Sequence, residues 1–107
     1  MKGIGDLMKQ AQQFQEKMEK IQAELAEARV EGTAGGGMVK AVANGKQEII
    51  ELTINKEVVN PEDVQMLQDL ILSALAQARE KAAALSSEKM AALTRGIKIP
   101  GLSGMGF

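Results

Sequence analysis

A chain of 107 residues falls within the usual size of a single domain, and thirteen basic against fourteen acidic side chains leave a formal net charge of −1. It has no Cys and no His, which excludes a disulfide framework, a thiolate zinc site and imidazole acid–base chemistry. Two Phe are the only aromatic residues, so the core must be aliphatic, and the near-neutral charge means that any attraction to a polyanion must be local.

From Ile4 onward the apolar residues form a heptad seam: Ile4, Leu7, Ala11, Phe14, Met18, Ile21, Leu25 and Ala28. The spacing predicts a helix that starts near Asp6, an N-cap residue after Gly3 and Gly5, and ends before Gly32. Such a helix would be roughly 40 Å long, whereas a compact domain of this size has a radius of gyration of about 13 Å. One end should therefore project.

Val30 to Ala34 alternates in polarity, Gly35-Gly36-Gly37 breaks the chain, and Met38 to Ala43 is β-prone up to Asn44-Gly45, a strong hairpin signal. Glu48 to Ile54 then places Ile50, Leu52 and Ile54 on one face and Ile49, Glu51 and Thr53 on the other. The expectation is a three-stranded antiparallel meander.

Asn60-Pro61-Glu62-Asp63 combines an N-cap residue, a proline at the first helical position and acids for the first turn, which predicts a second long helix from this point. Its apolar stripe is Val64, Leu67, Ile71, Ala74, Ala78, Ala82 and Leu85, widened by Leu70 and Leu75. Ser86-Ser87 is expected to interrupt it, giving a short third helix from Glu88 to about Leu93. The fold class is thus α+β, with one domain over residues 1–95 and a flexible Gly-rich C-terminal tail over residues 96–107. No run of about 18 apolar residues spans a bilayer and the start lacks the apolar core of a secretory signal, so a cytoplasmic protein without a membrane partner is expected.

A three-stranded sheet with helices on one face leaves its other face in need of cover, with Val39, Ala41 and Ile49 as candidates, and a second copy of the chain could supply it. A homodimer is favoured over a monomer whose seam packs entirely on the second helix.

Few residues suggest chemistry. The Gly35-Gly36-Gly37 run is not followed by Lys-Ser/Thr and its flanks read as strands, so a plain turn is favoured over a phosphate loop. The carboxylates alternate with lysines, as in Glu16-Lys17 and Glu19-Lys20, the pattern of a solvated helix face. No enzyme, cofactor, metal or small-molecule substrate is expected.

Charge by segment is more informative. Lys2 and Lys9 against Asp6 make residues 1–15 positive, and Lys89, Arg95 and Lys98 against Glu88 do the same for residues 86–107. The middle of the chain is acidic. Antiparallel helices would bring both basic segments to one distal tip, where the helix N-terminus and Gln10, Gln12, Gln13 and Gln15 suit a phosphate backbone. Without an aromatic platform for unpaired bases, the partner expected is double-stranded DNA, read with low sequence specificity.

The chain resembles the YbaB/EbfC family of bacterial nucleoid-associated proteins through Leu7-Met8-Lys9-Gln10-Ala11-Gln12-Gln13, Gly35-Gly36-Gly37-Met38-Val39-Lys40 and Asn44-Gly45. The likeness continues through Leu67-Gln68-Asp69-Leu70-Ile71, Ala74, Ala78, Glu88-Lys89-Met90, Thr94, Gly96 and Pro100-Gly101. The resemblance implies a tweezers-like homodimer joined through its sheet regions, with helical arms reaching duplex DNA, and a role in nucleoid organisation or gene regulation. Charge and resemblance together single out Lys2, Lys9, Lys89, Arg95 and Lys98 as nucleic-acid-binding residues. The alternative is a dimeric protein-interaction adaptor in recombination or replication, gripping its partner through Leu7, Met8 or Met90.

Overall fold

A computed structural model describes residues 2–95. Along the chain it has helix α1 (Lys2–Glu27), strands β1 (Val30–Ala34), β2 (Val39–Ala43) and β3 (Ile49–Ile54), a 3₁₀ turn (Lys56–Val58) and helix α2 (Val64–Arg95). The sheet is an antiparallel meander in the order β1-β2-β3, as the alternation predicts. Its core is Val39, Ala41 and Ala43 of β2 beneath Ala74, Ala78 and Ala82 of α2.

That core explains how the fold manages without aromatic residues. Ala74, Ala78 and Ala82 recur every fourth residue and so form one ridge along α2, and the ridge is nearly flat because each side chain is a methyl group. Gly32 of β1 pairs with Ala41 of β2, and its missing side chain leaves α2 free to approach. A methyl group at Gly32 would overlap the Ala74 carbonyl oxygen and the Ala78 amide nitrogen. Small residues here trade side-chain volume for close approach of backbone to backbone.

Three boundaries differ from the sequence reading. Helix α1 begins at Lys2 rather than near Asp6, running through Gly3 and Gly5 although glycine lowers helix stability by about 1 kcal/mol relative to alanine. The N-cap of α2 is Asp63, whose Oδ1 accepts from the Met66 amide at 3.1 Å. Asn60 instead organises the preceding turn, its Oδ1 accepting from the Glu62 amide at 3.0 Å, with Pro61 inside that turn. Finally, α2 continues unbroken through Ser86-Ser87 to Arg95, so the expected short third helix is the last part of α2. Two serines weaken a helix only slightly, and Leu93, buried at its far end, holds the last turns in place.

The sheet faces also differ from expectation. Val39, Ala41 and Ile49 lie on the face that α2 covers. The opposite face is mostly polar and carries Glu31, Thr33, Lys40, Glu51 and Thr53 around a half-buried Val42, with Glu31 and Lys40 joined across strands at 3.7 Å. Uncovered apolar surface is found at β3 instead, where Ile50 is 49% and Leu52 41% exposed, because α2 lies over β1 and β2. The tail at residues 96–107 falls outside the described residues.

Candidate nucleic-acid interface

The position of α1 is set at its C-terminal end. Leu25 is buried, and its carbonyl oxygen accepts from the Gly45 amide at 2.7 Å, tying the helix to the β2–β3 turn. The Asn44-Gly45 turn is longer than a two-residue hairpin. Asn44 is buried and its Oδ1 accepts from the Lys46 and Glu48 amides, its Nδ2 donates to Glu48 Oε1 at 2.8 Å, and Gln47 takes the left-handed conformation. Arg29 completes the end of the helix by donating from Nη1 to the Ala26 and Ala28 carbonyls. These carbonyls would otherwise lack a partner at a helix terminus.

From this anchor α1 runs antiparallel along the end of α2 and then past it. Exposure of the heptad seam tracks the departure: Leu25 is buried, Ile21 and Met18 are half-buried, and Leu7 and Ile4 are 64% and 61% exposed. Leu93 lines one cleft with Lys17 and Lys20 across the helix pair, so the sixteen residues from Lys17 back to Lys2 extend roughly 20 Å along the axis, most of it beyond the described end of α2. A methyl group at Gly3 or Gly5 would have no neighbour within 4 Å, as befits a helix surrounded by solvent. The projecting arm expected from helix length is present.

The five sequence-predicted residues do not form one cluster. Lys9 is exposed on the arm and Arg95 is exposed at the end of α2. Lys89 lies well short of the tip, half-buried against α1, with its Nζ 3.1 Å from Glu24 Oε2. The two basic segments therefore do not meet at one distal tip. The end of α2 lies beside the middle of α1, because α1 is anchored by Leu25 at its far end and outruns its partner. Lys2 belongs to the first turn of α1, and Lys98 lies outside the described residues.

The helix pair encloses a feature that the sequence reading assigned to a solvated face. Lys17 and Lys20 of α1, with Lys89 of α2, rim an open cleft of about 310 Å³ whose floor is Ile21, Ala92 and Leu93. Glu24 is the one carboxylate on the rim. The signal available in sequence was position: Lys17 and Glu24 each precede a seam residue, where a side chain flanks a helix–helix contact.

No helix among the described residues is long and apolar enough to cross a membrane. Residues 1–97 match the model of the YbaB/EbfC DNA-binding family. The chain is 52% identical over 99 residues to a nucleoid-associated protein of Caldanaerobacter subterraneus subsp. tengcongensis, an alignment covering 92% of this chain and 89% of that one. It is 48% identical over 101 residues to a nucleoid-associated protein of Bacillus cereus, covering 94% and 93% of the two chains. Among solved structures, an uncharacterized protein from Helicobacter pylori shares the fold with a TM-score of 0.73 at 19% identity, over 82% of this chain and 92% of that one.

Proposed function

Because the chain belongs to the YbaB/EbfC DNA-binding family, we propose that it is a nucleoid-associated protein that acts as a homodimer and binds duplex DNA with low sequence specificity. The contact is made by the projecting arm of α1, through Lys2 and Lys9, and by Lys89, Arg95 and Lys98 of the second basic segment, and the role is nucleoid organisation or gene regulation. The observation that carries this reading is the solvent-surrounded arm of α1, which bears Lys9 and a row of glutamines and lies free to follow a phosphate backbone. The DNA-binding description of the family and the names of the relatives support the choice of partner.

Support for a dimer comes from β3. It is an edge strand with unpaired backbone groups among the described residues, and although Glu51 places one charge on it, Ile50 and Leu52 to either side are exposed and uncovered. A second copy of the chain is the simplest cover.

The test is fluorescence anisotropy of labelled random-sequence duplexes at several salt concentrations. If about six phosphates are neutralised per dimer, the logarithm of the binding constant falls with a slope near −5 against the logarithm of salt. Lys9→Glu and Arg95→Glu weaken binding. A response flat in salt overturns the proposal and favours a protein-interaction adaptor in recombination or replication. The exposure of Leu7 and Met8, at 64% and 68%, supports that second reading. Its mark is salt-resistant partner capture that depends on Met8.

A further inference from the structure

The cleft between α1 and α2 has more positive charge than its own carboxylate balances. Lys17, Lys20 and Lys89 face it, Glu24 alone opposes them, and the Glu24 carboxylate is committed to Lys89 at 3.1 Å. Among the described residues no salt bridge joins Lys17 or Lys20 to a carboxylate, although Glu16 and Glu24 lie one helical turn to either side of Lys20. Two cations thus flank an apolar floor with no anion engaged.

An occupant must present anionic oxygens to the rim and carbon to Ile21, Ala92 and Leu93. A sugar–phosphate backbone alternates these two surfaces. We propose that this notch is a second backbone-phosphate site for duplex DNA, at the base of the arm, and that Glu24 competes with the phosphate for Lys89. The proposal rests on the DNA-binding reading above and adds Lys17 and Lys20 to the residues that carry it. Phosphate entry exchanges the Glu24–Lys89 pair for a phosphate–Lys89 pair. Glu24 thereby moderates affinity, and the notch discriminates against weakly charged ligands that cannot displace it.

The experiment compares the full-length wild-type chain with Glu24→Gln, Lys17→Gln/Lys20→Gln and Lys9→Gln, using a labelled random-sequence duplex across a salt series. Glu24→Gln is expected to bind more tightly at low salt, by up to about fivefold for each notch engaged, the range of an exposed ion pair whose competition is removed. Lys17→Gln/Lys20→Gln is expected to bind more weakly, with a salt slope shallower by about 2 for each notch engaged. Amide NMR shifts at Lys17, Lys20 and Lys89 on adding the same duplex to the wild-type chain supply a readout that does not depend on the stability of any variant. Unchanged affinities and slopes for both notch variants, alongside weaker binding by Lys9→Gln, would overturn the notch and leave the arm-based reading standing. Failure of the wild-type chain to bind duplex overturns both.

Discussion

Gly32 shows how one residue can determine the spacing of two layers. It sits in β1 where the Ala74 and Ala78 backbone of α2 comes closest, so a methyl group there must push the helix away or bend the strand. Gly32→Ala is expected to destabilise the protein by about 1–3 kcal/mol or more, the usual range for overpacking, read as a lower urea midpoint at an unchanged m-value. Gly36, in the β1–β2 turn, has open space around it, and only its positive φ of 68° restricts substitution. Asn44 makes a related point about polar burial. Although almost fully covered, it has partners for both ends of its amide, so its burial costs little and organises the turn that receives the end of α1.

At the scale of elements, α2 is a single helix of 32 residues that serves two partners. Its middle presents alanines to the sheet, and its last turns present Lys89 and Leu93 to α1. A break at Ser86-Ser87 would uncouple the two. Continuity instead transmits the orientation of the sheet to the arm. Asp63 starts this helix, and Asp63→Ala is expected to lower stability by about 1 kcal/mol, measured by thermal or urea unfolding, since it removes the acceptor for the Met66 amide. Asn60→Ala should cost less, because Asn60 serves the turn rather than the helix.

Over the described residues the molecule is elongated, with a radius of gyration of 20.2 Å and extents of 74 × 26 × 16 Å, against about 13 Å for a compact domain of about this length. Such a shape leaves much surface per buried residue, and the large residues Ile50 and Leu52 stay exposed on an edge strand. If the proposed dimer forms through this edge, Ile50→Glu/Leu52→Glu should sediment as a monomer where the wild-type chain sediments as a dimer. Its circular-dichroism spectrum should remain that of a folded protein, since neither side chain belongs to the described core. A wild-type monomer, or a variant that remains dimeric, would remove β3 from consideration as the interface.

Much of this was legible in the sequence because it depends on local periodicity. The seam from Ile4 to Leu25, the alternation in β3 and the four-residue recurrence of Ala74, Ala78 and Ala82 determine element type, and α1's length alone requires an overhang. The glycine run marks its turn for the same reason, since three consecutive residues there need positive φ. Relative placement was decided only in three dimensions. Which face of the sheet α2 covers depends on where Gly32 permits close approach, and this puts Val39 and Ala41 inside rather than on the open face. The register of α1 against α2 depends on the Leu25–Gly45 anchor, between residues twenty apart in the chain, and it places Lys89 beside Glu24 and brings Lys17 and Lys20 into one cleft with it. Periodicity acts through near neighbours, whereas close packing and charge convergence join residues distant in sequence, and only the folded chain brings those together.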